Sequence, residues 1–232
     1  MTERASFWGV NWGWGKGHCW GCGNSLVPNE VAGMCPPCQW SWPTIPDSMA
    51  AKILVQERTG SKVYGMGFRL REDAPSKDQR VRGTSSLLHR MKYGGFSQYG
   101  RSFGNWISRR WPAPPHSALL VPVPLHWRWK WRRGFNPSEA LAIGLAQGWG
   151  LEKPQNLLRR VKHQSPLSQA SRRERLDALL ATYQLGNKEQ YPQLNVILVD
   201  YVLTTGATFS ACRHACERMG HHVLGGIWLG MA

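Results

Sequence analysis

The chain has 232 residues, in which 29 Lys and Arg residues outnumber 14 Asp and Glu residues, and its formal net charge at pH 7 is +15. This length can form one α/β domain with a small appendage, and the charge favours a polyanionic partner such as nucleic acid. No apolar run approaches the roughly 20 residues that cross a bilayer, and the N-terminal residues lack the apolar core of a secretory signal. We therefore expect a cytoplasmic protein without a membrane span.

Two Cys-x2-Cys pairs, separated by twelve residues, lie near the start of the chain. Each pair can form a tight turn that points two thiolates at one centre, and four thiolates around a tetrahedral ion are typical of structural zinc. We expect a structural Zn²⁺ in a zinc ribbon over residues 8–46. Two disulfides are the alternative, which a reducing cytoplasm disfavours. The expected zinc ligands are Cys19, Cys22, Cys35 and Cys38.

Residues 47–95 are predicted to connect this ribbon to the main domain. Two apolar segments, 53–56 and 63–70, flank a Thr-Gly-Ser turn, and this pattern predicts a β-hairpin. A polar stretch at 72–77 then leads to a short helix-like segment that ends at the Gly94-Gly95 pair.

Residues 96–232 show strands alternating with helices, a pattern that predicts a parallel sheet with its ligand at the carboxyl ends of the strands. The first helix begins at Ser97, and the apolar run at 119–124 predicts a buried strand. A second helix begins at Asn136, where an Asn cap, a Pro and a Glu three residues later form a capping-box pattern, and it ends at Gly150. Four residues at helical spacing mark the buried face of the first helix: Phe103, Trp106, Ile107 and Trp111.

Tryptophans and basic residues alternate between residues 126 and 136. If this segment is extended, the indoles project to one side and the cations to the other, which suits single-stranded DNA because bases stack on indoles while cations follow phosphates. The alternative is that the indoles pack beneath a loop and the cations are merely solvated. Residues 121–175 hold eleven Lys and Arg against three acids, which supports a basic groove. The candidate nucleic-acid residues are Trp127, Arg128, Trp129, Lys130, Trp131, Arg132 and Arg133.

An apolar segment that begins at Val196 runs into Asp200, then into a Thr/Gly loop and a helix. Backbone N–H groups at the N-terminus of a helix can hold a phosphate, and a carboxylate at the strand end can accept hydrogen bonds from ribose hydroxyls. The hydroxyls of Thr204, Thr205 and Thr208 can surround the phosphate. An ordinary connection between a strand and a helix is the alternative.

Two further cysteines, Cys212 and Cys216, lie one turn apart in the helix after this loop. They share a predicted face with Ala211, Ala215 and Met219, as core residues do. A redox or metal role is the alternative, and we expect ordinary core packing.

The segment 196–208 resembles the phosphoribosyl-pyrophosphate loop of the type I phosphoribosyltransferases. Together with the cysteine pairs, the order of motifs over residues 19–230 is similar to that of the ComF family. These motifs lie at 88–95, 121–125, 133–136, 160–162, 174–175 and 200–208.

The resemblance implies an α/β fold, namely a type I phosphoribosyltransferase-like parallel sheet flanked by helices with a small N-terminal zinc ribbon. It also implies an association with natural competence, the uptake of single-stranded DNA, beside the competence helicase and recombination proteins. Binding of phosphoribosyl pyrophosphate, with Mg²⁺, is implied for Asp200, Tyr201, Thr204, Thr205, Gly206, Ala207 and Thr208.

The sequence departs from the family pattern where polar or acidic groups are usual. Tyr201 replaces the second acid of the loop, and further departures occur at Pro137, Gln164, Leu167 and Ala178. We therefore predict a DNA-uptake factor that binds single-stranded DNA on an enzyme-like scaffold. One alternative is an active Mg²⁺-dependent phosphoribosyltransferase, with Asp200 as the catalytic residue. The other is a protein-interaction adaptor formed by the ribbon and exposed tryptophans.

Overall fold

A computed structural model describes residues 49–69, 97–161, 182–185 and 193–231. The predicted zinc ligands lie outside these ranges, as do Gln164, Leu167 and Ala178. Among the helices of the described ranges, none combines the length and apolar character needed to span a bilayer. In chain order the elements are α1 Met49–Thr59, β1 Lys62–Arg69, α2 Ser97–Ser108, β2 Ala118–Pro122, α3 Trp127–Arg133, α4 Pro137–Trp149, β3 Leu158–Arg160, β4 Tyr183–Leu185, β5 Asn195–Leu203, α5 Ala207–Glu217 and β6 His222–Met231.

Four parallel strands form the central sheet in the order β1-β6-β5-β2. The middle of β5, from Val196 to Val199, is completely buried. A continuous apolar strand of this kind is expected where helices cover both faces of a parallel sheet. The predicted α/β fold with a parallel sheet flanked by helices is therefore confirmed. Strands β3 and β4 form a separate antiparallel ribbon.

Helices α2 and α4 pack closely against each other. A Cβ atom on Gly104 would clash with the Leu141 carbonyl oxygen, and one on Gly144 would clash with the Arg101 carbonyl oxygen, so only glycine allows this approach. The predicted aromatic face of α2 is confirmed, because Phe103 and Ile107 are fully buried. Trp106 and Trp111 are also buried.

The predicted β-hairpin is wrong, because residues 53–56 belong to helix α1. Short apolar runs fit a strand or a helix equally well, and here the Ala, Lys, Glu and Arg residues around the run favour a helix. Val55 is fully buried on this helix. β1 pairs with β6 instead, and the Trp111 indole donates a hydrogen bond to the Met66 carbonyl at 3.0 Å. Residues 62–69 are therefore an edge strand of the central sheet.

Candidate functional site

The Thr/Gly loop lies where β5 meets α5, at the carboxyl end of the sheet. The strand continues three residues beyond Asp200 and ends at Leu203, so the loop itself is residues 204–206. Gly206 has φ of 80°, a conformation that favours glycine, and precedes the first helical residue. Among the described residues, Gly206 precedes the helix without a side-chain cap. The Ala207 amide donates a 3.4 Å hydrogen bond to Thr205 Oγ1 within the loop. The loop thus has the strand, turn and helix geometry that phosphate binding requires.

Helix α1 holds this loop from a position 146 residues away in the chain. Arg58 Nη1 donates a hydrogen bond to the Thr204 carbonyl at 2.9 Å. A Cβ atom on Gly206 would clash with the Arg58 carbonyl oxygen, so the loop packs directly on the end of α1. Arg213 of α5 adds hydrogen bonds to the Gly60 carbonyl at 3.2 Å and to Ser61 Oγ at 3.1 Å. Nothing in the local sequence indicates these long-range contacts.

Asp200 is half-buried, and hydrogen bonds orient its carboxylate. Its Oδ1 atom accepts from Ser138 Oγ at 3.2 Å and from the Tyr201 amide at 2.7 Å. Ser138 lies in the first turn of α4, so this helix and β5 together orient the carboxylate. The Tyr201 side chain, in contrast, is 6% exposed and belongs to the hydrophobic core. The side chain of Tyr201, which replaces the second acid, therefore packs in the core, while its backbone amide donates a hydrogen bond to the first acid, Asp200.

The β3–β4 ribbon adds two residues that the sequence analysis missed as neighbours of Asp200. Arg160 and Tyr183 lie opposite each other in this ribbon, with the guanidinium carbon 5.7 Å from the phenol ring centre. Burial, followed by the charges that Cys212 and Asp200 can carry, raises the pKa of Tyr183. Arg160 and a side-chain hydrogen bond with Thr208 lower the same pKa. The ribbon, the start of α5 and the end of β5 therefore meet around this phenol.

The two cysteines of α5 are buried in the core, as predicted. Burial is the main cause that raises the pKa of Cys212, and burial followed by the Glu217 charge raises the pKa of Cys216 to about 12. Both thiols are therefore neutral near pH 7. Met219 does not share this face: it follows the end of α5 and is exposed, because the helix stops at Glu217.

The segment of alternating Trp and basic residues is helix α3, so the extended conformation considered in the sequence analysis does not occur. His126 Nδ1 accepts a hydrogen bond from the Arg128 amide at 3.4 Å, which caps the start of the helix. Gly134 has φ of 78° and its amide donates to the Lys130 carbonyl at 2.8 Å, which ends the helix. These two caps favour a helical turn over the period-two alternation.

Two indoles of α3 are exposed on one side of the helix. Trp127 is 60% exposed and Trp131 is 89% exposed, and residues four apart lie on the same helical face. Arg128 and Lys130 are also exposed, and the Arg128 guanidinium carbon lies 5.4 Å from the Trp127 ring centre. These two tryptophans are therefore not packed beneath a loop. Trp129, Arg132 and Arg133 belong to the same helix, and their side chains lie outside the described residues.

Polar contacts tie α3 to the surroundings of Asp200. Lys130 Nζ lies 3.5 Å from Glu139 Oε2, next to Ser138 at the start of α4. Asn136 caps α4 as predicted, because its Oδ1 atom accepts from the Ser138 amide at 3.1 Å. The same side chain donates to the Val123 carbonyl at 3.0 Å, just after β2. The exposed indoles and Asp200 therefore lie at the same edge of the sheet.

Comparison with known proteins gives the context for this arrangement. The chain is 31% identical to competence protein F from Haemophilus influenzae over 102 residues, which are 44% of each protein. It is 30% identical to the DNA utilization protein YhgH from Salmonella typhi over 142 residues, which are 59% of this chain and 62% of that protein. These similarities to proteins named for competence and DNA utilization support the ComF resemblance. The predicted ComF resemblance is thereby confirmed.

The matches to these ComF relatives span about half of the relatives' length. No protein-family model matches the chain. Within the described ranges, no group of three or more His, Cys, Asp or Glu side chains is placed to hold a metal ion. Zinc binding by the ribbon, phosphate binding by the loop and DNA binding by α3 stay predictions.

Proposed function

We propose that this protein is a ComF-like DNA-uptake factor that binds single-stranded DNA on a type I phosphoribosyltransferase-like scaffold. The names of its relatives, competence protein F and DNA utilization protein YhgH, support a role in handling incoming DNA. The formal net charge of +15 supports a polyanionic ligand. The observation that carries the proposal is the exposed pair of indoles on α3.

Exposed tryptophans on one helical face need a functional explanation, because large exposed apolar groups usually mark binding sites. Cβ atoms four residues apart on a helix are separated by about 5–6 Å, so Trp127 and Trp131 form one continuous aromatic surface. On the helix, positions 128 and 130 lie to either side of this surface. Bases of a flexible single strand can stack on the indoles while Arg128 and Lys130 contact the phosphates. A duplex has its bases already stacked and is a poorer ligand.

The scaffold supplies a second part of the site, at Asp200 and loop 204–206. A carboxylate at the carboxyl end of a parallel strand, followed by a helix N-terminus, suits a ribose and its phosphate. Thr204 and Thr205 are exposed, and Thr208 is half-buried. We propose that a sugar phosphate, such as phosphoribosyl pyrophosphate, binds here. Asp200 is the one carboxylate of β5, because Tyr201 stands in the place of the second acid, and the Tyr201 side chain packs in the core.

Catalysis by a Mg²⁺-dependent phosphoribosyltransferase is the second candidate, and the half-buried Asp200 is the observation that favours it. Mg²⁺ binds oxygen ligands, often one or two carboxylates together with substrate phosphates. Asp200 and the Ser138 hydroxyl supply such oxygens, and the pyrophosphate of the ligand would supply others. In this candidate, Asp200 stabilises positive charge that develops on the ribose.

We also propose that residues 8–46 form the structural zinc ribbon and that the protein acts in the cytoplasm. The segment 47–95, predicted to connect the ribbon to the domain at 96–232, includes α1 and β1, which are part of that domain's fold. Closed four-cysteine sites contribute folding energy rather than catalysis. The ribbon is a candidate contact for competence helicase and recombination proteins. If the ribbon and the indoles served only such contacts, the protein would be an adaptor without affinity for DNA.

The proposal is tested by fluorescence anisotropy of a labelled oligothymidylate titrated with the full chain over a series of salt concentrations. Each phosphate contact to a single strand contributes about −0.7 to the slope of log K against log salt. With Arg128 and Lys130 each contacting one phosphate, we expect a slope of about −1.4 or steeper. A matched duplex should bind more weakly at every salt concentration. Affinity that does not change with salt, or equal affinity for the duplex, would contradict the proposal.

A further inference from the structure

The turn that follows α2 carries two adjacent arginines, Arg109 and Arg110, and both side chains are exposed. The backbone of this turn is firmly held, because the amides at 110 and 111 both donate to one carbonyl in the last turn of α2, at 2.9 and 3.0 Å. Trp111 is buried and its indole donates to the Met66 carbonyl of β1. The Trp111 carbonyl accepts a hydrogen bond from the Trp149 indole of α4 at 3.1 Å. The two arginines therefore extend from a segment that is fixed to both β1 and α4.

The protein also orients the two guanidinium groups. Arg109 Nε donates a hydrogen bond to Asn105 Oδ1 at 3.2 Å, which uses one of the five N–H donors of the group. The Arg110 guanidinium carbon lies 4.1 Å from the ring centre of Trp106, and this indole is itself buried. Both side chains therefore have little conformational freedom left to lose when an anion binds.

The two positive charges lie close enough together to influence each other. Partial burial, followed by the charge of Arg109, lowers the pKa of Arg110. Helix α2 contains no Asp or Glu, and among the described residues no carboxylate forms an ion pair with either arginine. An anion between the two groups would offset their repulsion. Phosphate fits this position, because a guanidinium can donate two parallel hydrogen bonds to it.

This arginine pair lies far from the α3 indoles. Helices α2 and α4 run in the same direction, since a Cβ atom on Gly100 would clash with Ala140 and one on Gly148 would clash with Ser108. Helix α4 begins at the edge of the sheet that holds α3 and Asp200, so α2 ends toward the opposite edge. The 12 residues of α2 span about 18 Å at about 1.5 Å per residue. The pair is therefore separate from both sites described above.

We propose that Arg109 and Arg110 form a second phosphate-binding site for the single-stranded DNA whose bases stack on α3. Charge complementarity supports this occupant, because two oriented guanidinium groups without a described carboxylate partner lie on a protein with a net charge of +15. A strand long enough to run from α3 along the exposed face of α2 contacts both places, whereas a short strand contacts α3 alone. The inference rests on the proposed DNA function and deepens it, since it makes strand length a determinant of affinity.

The test compares oligothymidylates of about 4 and about 16 nucleotides, the range of single-strand site sizes, by fluorescence anisotropy with the full chain. We expect the double variant Arg109→Gln/Arg110→Gln to bind the long strand about tenfold more weakly, with a slope of log K against log salt reduced by about 1.4 for two lost contacts. Its affinity for the short strand should equal that of the wild type. The matched control, Arg159→Gln/Arg218→Gln, removes two exposed charges on the ribbon and after α5, and should change both affinities less than about twofold.

The variant Arg109→Lys/Arg110→Lys keeps both charges and loses the bidentate geometry, so its affinity for the long strand should lie between those of the wild type and the Gln variant. Equal losses on both strand lengths, or losses no larger than those of the control, would overturn the inference. So would a Gln variant that binds the long strand normally but unfolds at a lower temperature, the result expected if the arginines only complement the dipole at the end of α2.

The same titrations distinguish failure of this inference from failure of the proposed function. A wild type that binds both strands, with a Gln variant that binds them equally well, would remove the arginine pair and leave DNA binding in place. A wild type that binds neither strand would overturn both proposals.

Discussion

Asp200 and helix α3 lie at the same edge of the sheet, but the chain holds them in different ways. Asp200 is half-buried and hydrogen-bonded to Ser138 and to the Tyr201 amide, and the loop beside it packs on α1. Helix α3 has seven residues and presents two exposed indoles. The first region is fixed by hydrogen bonds and packing, whereas the second presents an exposed aromatic surface.

The proposed function assigns a sugar phosphate to the Asp200 region and a DNA strand to the α3 surface. The two regions are connected through the start of α4, where Ser138 contacts Asp200 and Glu139 contacts Lys130. If the division is correct, substitutions in one region should change one ligand's affinity and leave the other's unchanged.

The largest expected effect concerns the indole pair. Replacing both Trp127 and Trp131 by Ala should weaken oligothymidylate binding about a hundredfold, because each stacked base contributes about 1–3 kcal/mol. The free energy of unfolding should change by less than about 0.5 kcal/mol, since exposed side chains contribute little. Ile53→Ala, which removes an exposed apolar side chain on α1, is the control and should bind like the wild type. Unchanged DNA affinity in the double variant would remove α3 from the DNA site.

The fixed geometry of the loop can be tested at Gly206. Gly206→Ala should lower the free energy of unfolding by about 2 kcal/mol or more, because a side chain is strained at φ of 80° and clashes with the Arg58 carbonyl. Gly150 is the matched control: it has φ of 66° with no atom near a built Cβ, so Gly150→Ala should cost only about 1 kcal/mol. Thermal and urea unfolding measure both variants. Equal losses would show that packing on α1 does not fix the loop.

Asp200→Asn should separate the two ligands. Asn preserves the size of the side chain and can still accept from Ser138, but it removes the charge, so we expect sugar-phosphate affinity to fall about tenfold. Oligothymidylate affinity should change less than about twofold. Calorimetry with phosphoribosyl pyrophosphate and anisotropy with the oligonucleotide give the two values, and parallel losses would show that both ligands share one site.

The smallest expected effect is a change in salt dependence. Arg128→Gln should reduce the slope of log K against log salt for DNA by about 0.7, the contribution of one single-strand phosphate contact. Arg218, exposed after the end of α5, provides a variant with the same loss of charge. If Arg218→Gln reduces the slope equally, the effect reflects net charge and not a contact on α3.

Local patterns predicted the elements whose period or caps are unambiguous. The buried face of α2 follows from its helical spacing, and the start of α4 follows from Asn136 and Pro137. The run at 53–56 was too short to distinguish a strand from a helix without its tertiary contacts. In α3, the alternation of Trp and basic residues is compatible with an extended chain. The His126 side chain and the Gly134 amide cap the two ends of the segment and favour a helix.

The sequence analysis identified the candidate groups that lie within one segment and missed those that distant segments contribute. Asp200 and the loop follow from the sequence of β5 and α5. Ser138 lies 62 residues before Asp200 in the chain, and Arg58 lies 146 residues before Thr204. Tyr183 lies 17 residues before Asp200. Patterns of residues close together in the sequence do not reveal such contacts, because the contacts depend on strand order and helix packing.

The central claim, that bases of single-stranded DNA stack on the α3 indoles, is tested most directly by photocrosslinking. A single-stranded oligonucleotide with 5-bromodeoxyuridine would be irradiated in complex with the full chain, and the linked residues would be identified by peptide mass spectrometry. The account predicts crosslinks at Trp127 or Trp131 that disappear at high salt. Stable DNA binding with crosslinks only outside residues 126–134 would contradict it.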